Sequence, residues 1–260
     1  MPFTLAHPAA VLPLRRVRLL RTAPLIVGAL IPDLPYYLPA TLSRFYQPAS
    51  HTFEGSLTSD LLFGYLALGS IFLLRQPLTA LLSARARWLC LNALAPFNRR
   101  WREWALAAVA IVLGVWTHLL WDSFTHLDGW FVHRVAALSA PVTIGPYTGP
   151  LCHVLQYLSS AFGLALMAVW YWRLRTPAAA PAQPGAARSL VGPVLVLVAA
   201  AATLIGSVQA TAFFKHNPNI YWTLEILLTR SLAWFAALYL VAGTVVTLEH
   251  AHERVSGSAT

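Results

Sequence analysis

Charge is what this sequence has least of. Only 10% of its 260 residues are Asp, Glu, Lys or Arg, against roughly 25% in soluble domains, and that shortfall excludes an ordinary soluble globular chain. Cysteine is nearly absent too: Cys90 and Cys152 are too few for a disulfide framework. Lysine is rarer still, so arginine supplies nearly all of the formal net charge of +9. The arginines fall in short clusters between apolar runs, which sets aside nucleic acid as a partner. No internal repeat with broken helices is visible, which argues against a transporter. A cleavable leader is not expected, because the first Arg cluster follows an apolar opening and Asp33 interrupts the next apolar stretch.

What is present is hydrophobic: 58% of residues are apolar or aromatic and the mean hydropathy is +0.61. Apolar runs of bilayer-crossing length, roughly 18–25 residues, occur at 57–74, 104–124, 151–172, 190–212 and 224–248. The N-terminal part differs, with MPFTLAHPAAVLPL and TAPLIVGALIPDLPYYLP flanking the arginine-rich RRVRLLR. The expected fold is all-α, a polytopic integral membrane helical bundle with an N-terminal hairpin of two short helices. Residues 1–172 form the expected site-bearing domain, with a basic segment at 75–103. A Pro/Ala linker follows at 173–189 (TPAAAPAQPGAA at its centre), then two further spans in 190–248 and a tail at 249–260.

Positive charge assigns the sides. Arg15, Arg16, Arg18 and Arg21 mark one cytoplasmic turn, Arg75 to Arg102 a second, and Arg173, Arg175 and Arg188 a third. The opposite loops hold only Arg44, Arg134 and Lys215, and the tail is expected in the cytoplasm. With a rise of about 1.5 Å per residue, His118 and Asp122 lie near the extracytoplasmic end of their span. Asp33, His51 and His7 reach a similar depth on their own segments.

The stretch HLLWDSFTH places His118, Asp122 and His126 at four-residue spacing. Residues i and i+4 share a helix face, so His118 and Asp122 project together, and His126 continues the stripe if the helix persists. An imidazole and a carboxylate one turn apart are natural ligands for a first-row metal. Ionisable residues inside spans are costly and usually line sites. Glu54 and Asp60 flank the start of the run at 57–74, where either could orient a ligand, act as a helix N-terminal charge or serve as a general base. His133, His153, His216, His250 and His252 read as loop, interface or tail residues, and the ten Trp mostly as interface anchors.

Taken in order, MPFTLAHPAAVLPL, GALIPDLPYYLP, SHTFEGS, THLLWDSFTHLDGW and VLQYLSSAFG resemble an uncharacterised family of bacterial inner-membrane proteins opening with MPFTxxHP. That family is in turn similar to membrane-bound metal-dependent hydrolases of the YdjM type. A more distant similarity is to zinc-dependent phospholipase C and fungal single-strand nucleases. It implies a zinc cluster with His7 as the early ligand, Asp33 as the Pro-Asp carboxylate and His51 as the next histidine. His118 and Asp122 match the His-x-x-x-Asp pair and His126 the histidine after it, with Asp122 bridging. The final His-x-x-x-Glu of those enzymes is not matched, since Tyr157 stands four residues after His153.

The expectation is therefore a membrane-bound metal-dependent hydrolase, with a divalent metal, zinc first, and a phosphoester of a membrane lipid or lipid-linked phosphate as substrate. The expected metal ligands are His7, Asp33, His51, His118, Asp122 and His126, with Glu54 and Asp60 as catalytic candidates. The alternative is a non-catalytic metal-binding or structural membrane protein whose polar stripe packs helices together.

Overall fold

The computed structural model describes residues 4–38, 40–98, 100–145, 147–174 and 185–257. Residues 1–3 of the opening motif, Arg99, residues 175–184 of the expected linker and residues 258–260 of the tail lie outside the described residues. By contacts the chain forms two compact units, Met1–Leu68 with Arg100–Leu174, and Gly69–Arg99 with Arg175–Thr260.

The first unit begins with the expected hairpin. Its descending arm is a 3-10 segment, Thr4–Val11, with Pro8 inside it. A second short 3-10 turn, Leu14–Arg16, opens the arginine-rich bend, and helix α1 (Thr22–Leu30) forms the rising arm. Proline explains why neither arm is one long α-helix: Pro8, Pro32 and Pro35 each remove a backbone donor. After α1 the chain tightens into the 3-10 segment Ile31–Tyr37, which carries Asp33. Helices α2 (Ala40–Tyr46), α3 (Phe53–Leu57) and α4 (Ser59–Leu73) follow.

Helix α4 corrects one expectation. The run 57–74 holds a helix of 15 residues, about 22 Å long, which falls short of a hydrocarbon core of about 30 Å. Thr58, at φ −121° and ψ −90°, separates it from α3. At its other end the Arg75 guanidinium donates to the Phe72 carbonyl at 2.6 Å, closing the helix. Among the described residues four helices, rather than five, are long and apolar enough to cross a membrane: Trp101–Thr125, Leu151–Arg173, Val191–His216 and Ile220–Glu253.

In the second unit lie α5 (Arg75–Ala80) and α6 (Ala84–Leu94), which occupy the basic segment. The first unit resumes with the 25-residue α7 (Trp101–Thr125) and a short α8 (Ala136–Ser139). Strands β1 (Pro141–Ile144) and β2 (Tyr147–Pro150) then pair as an antiparallel hairpin before α9 (Leu151–Arg173). The hairpin is not among the expected elements; its turn contains Gly145, at φ 57°. The second unit is completed by α10 (Gly185–His216) and α11 (Ile220–Gly257), joined by a turn in which the Trp222 amide donates to Asn219 Oδ1 at 3.3 Å. Within this unit the Tyr239 hydroxyl donates to the Leu78 carbonyl at 3.0 Å, tying α11 to α5.

The packing that positions the site is the crossing of α1 with α7. A Cβ at Gly28 would collide with the Ile111 carbonyl, and one at Gly114 with the Leu25 carbonyl. Small residues let the two backbones approach in this way, as they do between membrane helices. Val11, Leu25, Ala29 and Ala110 close the apolar core around the crossing. At one end Arg21 donates from Nε and Nη2 to the two Glu103 oxygens at 2.7 Å each, a bidentate pair of the geometrically specific kind. At the other end the Ala29 carbonyl and the segment carrying Asp33 lie over His118 of α7.

Candidate metal centre

The site is assembled from three short stretches of unequal stiffness. Helix α7 contributes His118 and Asp122 from one face, as the four-residue spacing requires. Asp33 comes from the 3-10 turn that Pro32 and Pro35 hold in place. His51 comes from the loop before α3 and is the one described non-glycine residue with positive φ, at 63°. That conformation costs about 1–2 kcal/mol for a residue with a Cβ and persists only where its surroundings fix it. The loop supplies the fixing: Ser50 Oγ donates to the Gln47 carbonyl at 3.0 Å and Thr52 Oγ1 to the Ala49 carbonyl at 2.8 Å. Thr52 then caps α3 by accepting from the Gly55 amide.

Four side chains converge. Asp33, His51, His118 and Asp122 each present one donor atom, and these atoms all lie within 4.8 Å of one another. His118 Nε2 is 3.4 Å from Asp33 Oδ1 and 3.0 Å from Asp122 Oδ2. His51 Nε2 is 3.3 Å from Asp33 Oδ1 and 3.6 Å from Asp122 Oδ2. Ligands placed about 2.0–2.2 Å from a tetrahedral cation are separated by roughly 3.3–3.6 Å, so three of these four spacings fall in that range and the fourth is slightly tighter.

The hydrogen-bond pattern says the same thing independently. Asp33 Oδ1 and Oδ2, His118 Nε2 and Asp122 Oδ2 are buried and make no hydrogen bond, although their neighbours are near enough by distance. One donor atom from each residue belongs to the cluster within 4.8 Å. Such orphaned buried groups are rare and call for an explanation, and a cation held among them would supply one. The chemistry of the set fits: two carboxylates and two imidazoles suit a divalent first-row metal.

The outer contacts orient these ligands. His118 Nδ1 donates to the Ala29 carbonyl at 2.8 Å, which leaves the Nε2 lone pair facing inward, the usual arrangement for a ligating histidine. His51 Nδ1 lies 3.2 Å from Ser50 Oγ. Without a cation, burial alone would raise the Asp33 carboxyl, but a protonated His118 ring facing it more than offsets this and holds Asp33 below the usual carboxylate range; a bound cation would stand in place of that proton. Asp33 is thereby kept ionised, the form a cation requires. Asp33 and His118 are fully buried, whereas His51 keeps 28% and His126 23% of the side chain exposed, so the site is reached past these two histidines.

His7 and His126 come to the same place but on the other oxygen of Asp122. His7 Nε2 is 3.0 Å from Asp122 Oδ1, and its ring stacks on His118 with centroids 3.9 Å apart. His126 does not continue the helical stripe. Helix α7 ends at Thr125, and His126 is its extended cap residue, with its own amide bonded back to the Asp122 carbonyl. Its Nδ1 still reaches to 3.4 Å from Asp122 Oδ1. Burial lowers the His126 ring, which keeps it neutral.

The two carboxylates expected to do catalysis part company. Asp60 is fully buried, and its Oδ1 accepts from the Tyr46 hydroxyl at 2.6 Å while its Oδ2 has no hydrogen bond. Tyr46 Oη is also within 3.0 Å of the Ile31 carbonyl, so the pair braces the segment that carries Asp33. Burial, then the Asp60 carboxylate, raises the Tyr46 hydroxyl and keeps it a donor. Glu54 is exposed in the first turn of α3 and does not join the network among the described residues.

The chain belongs to the DUF4184 family, a domain of unknown function. The match covers residues 1–247, so it takes in the first unit whole and the second up to residue 247. No curated protein and no solved structure matches the chain significantly. The centre of this DUF4184 chain also uses groups the sequence did not single out. Gln156 donates its amide to His126 Nε2 at 2.9 Å, and Tyr46 and the Ala29 carbonyl hold Asp60 and His118. A glutamine, a tyrosine and a main-chain oxygen carry no spacing signal, and only the packing of α1, α2 and α9 brings them in.

Proposed function

We propose that this protein binds a divalent cation, zinc first, at Asp33, His51, His118 and Asp122, and hydrolyses a phosphoester of a membrane lipid or lipid-linked phosphate. The observation that carries the proposal is the set of buried, unbonded ligand atoms converging at near-tetrahedral spacing. The order of these residues, similar to that of zinc-dependent phospholipase C and YdjM-type hydrolases, supports the same reading. Further support for a lipid substrate comes from the site's place among helices long enough to cross a membrane. We place it toward the extracytoplasmic face of a bacterial inner membrane, with the C-terminus in the cytoplasm, from the arginine distribution alone.

A bound divalent cation would supply polarisation of the phosphoryl oxygen and acidification of water. The protein's own groups do the rest. Asp33 and Asp122 supply the negative charge that retains a cation, and His118, fixed through Ala29, supplies a rigid neutral donor. His7 and His126 orient Asp122 through its second oxygen; a second cation shared through Asp122 would use those same three donors. Asp60, buried with one oxygen unbonded, is our candidate for orienting His51 or for taking the proton released when water attacks phosphorus, and passing it to the ester oxygen that leaves as the P–O bond breaks. Glu54, outside the network, is not assigned a step.

A second reading has its own observation: four protein donors complete a tetrahedral shell, which is the pattern of structural sites, whereas catalytic sites keep an open position. Two measurements test and separate the readings. Phosphate release from phosphatidic acid in mixed micelles, dependent on added zinc and abolished by Asp33→Asn, supports the hydrolase. Absorption spectra of the cobalt-substituted protein showing a closed four-coordinate site, with no turnover of any phosphoester, would leave the structural role.

A further inference from the structure

A groove of about 480 Å³ runs between α7 and α9, beside the metal centre but not part of it. Leu120, Trp121, Phe124, Leu155, Leu158 and Phe162 form most of its lining, and Leu120, Leu158 and Phe162 are more than half exposed at its rim. Both helices are long and apolar enough to cross a bilayer, so hydrocarbon is the medium this groove opens to. Its extent along α7, from Thr117 to Thr125, is about 12 Å at 1.5 Å per residue. Its volume lies in the range of pockets that take one drug-sized apolar group.

Two connections tie the groove to the site. Trp121 forms the shared wall: its ring centroid is 5.7 Å from that of His7, and its indole N–H donates to Ser159 Oγ in the groove at 3.1 Å. The second is the end of the groove. Thr125, the last lining residue on α7, lies 3.3 Å from His126 Nδ1. On α9 the lining residue Leu155 is followed by Gln156, which bonds His126. The apolar slot therefore ends at a half-open histidine that touches Asp122.

We infer that this groove seats one hydrocarbon tail of the substrate, a membrane lipid whose phosphoester head lies over the His126 end beside Asp122. The inference rests on the hydrolase reading for the identity of the head, and on the groove alone for the tail. Removing the tail's apolar surface from general lipid contact gains little by itself, since lipid is as apolar as leucine. Selection comes from holding head and tail at once, so a phosphate-headed lipid is retained where a bulk lipid exchanges.

The test uses the full chain in phosphatidylcholine nanodiscs doped with trace phosphatidic acid that carries a diazirine near the end of one acyl chain. After irradiation, adducts are mapped by peptide mass spectrometry. Adducts concentrated on residues 117–125 and 155–162, several-fold above exposed α10 positions such as Val196 and Leu197, are expected. They should fall several-fold in Leu155→Trp and in Leu158→Trp, the latter at an exposed rim position where a larger ring meets little packed structure. The same diazirine on phosphatidylcholine should label all lipid-facing helices alike. Phosphatidic acid label spread evenly, or unmoved by both variants, would overturn the inference. Metal content and phosphate release, measured on the same samples, report on the hydrolase reading separately: if both are absent while labelling stays concentrated, only that reading falls.

Discussion

Chelation is the perturbation whose size the structure specifies. Asp33 Oδ1 and Oδ2, His118 Nε2 and Asp122 Oδ2 are buried without hydrogen bonds, and each unsatisfied buried group costs about 1–3 kcal/mol, more where it is charged. That is a large share of the 5–15 kcal/mol that typically holds a fold together, so removing the cation must be felt. A ligand that binds only the folded state, held at about 1,000 times its Kd, stabilises by about 4 kcal/mol. For chains of roughly this size each kcal/mol moves Tm by about 2–4 °C, so saturating zinc should raise Tm by roughly 8–16 °C over the chelated protein. The assay is thermal unfolding in detergent, read by intrinsic tryptophan fluorescence, with chelator and then with zinc restored. Asp33→Asn removes one ligand charge and should abolish most of the zinc-dependent shift while leaving the chelated Tm unchanged or higher. A Tm that moves by less than about 2 °C on chelation and on zinc addition, a shift that the relation above equates with no more than about 1 kcal/mol, would refute the reasoning.

Three further outcomes follow from single residues. At His51, with φ 63°, glycine is the easier replacement, so chelated His51→Gly should be more stable than chelated His51→Ala by about 1 kcal/mol, read by denaturant unfolding; both should lose metal. His7→Phe removes the group that orients Asp122 Oδ1 and should weaken zinc binding by about 10–100-fold, measured by competition with a chromogenic chelator, with the helix content by circular dichroism unchanged. Gly114→Leu places a side chain against the Leu25 carbonyl and should cost at least about 1–3 kcal/mol, seen as a lower Tm in both the chelated and the zinc-loaded protein.

Much of this was legible in the letters, and the reason differs from residue to residue. His118 and Asp122 could be paired because a helix fixes which spacings share a face, and α7 is a long regular helix. The hairpin around RRVRLLR was readable from prolines and arginines, since both act locally. His126 was misplaced in part: the stripe argument assumed a continuing helix, but α7 stops at Thr125, and the ring reaches Asp122 from an extended residue instead. The run at 57–74 looked like a span because hydropathy does not register Thr58 breaking the helix or Arg75 capping it. Asp60 and Glu54 looked equivalent in sequence; a hydroxyl from Tyr46 buries one, and the first turn of α3 exposes the other. The pairing of α5 with α11 depends on contacts distant in sequence, which no local pattern encodes, whereas the β1–β2 hairpin is local but its four-residue strands are too short to stand out.

The most direct test of the central claim is the metal content of the purified full chain in detergent, by elemental analysis, for wild type and for the His118→Ala, Asp122→Asn double variant. The account predicts about one equivalent of zinc or a similar divalent metal in wild type, or two if Asp122 bridges a pair, and essentially none in the double variant. Wild type that holds no metal after chelator-free purification, and takes up none on reconstitution, would contradict it and leave the stripe in HLLWDSFTH as helix-packing polarity.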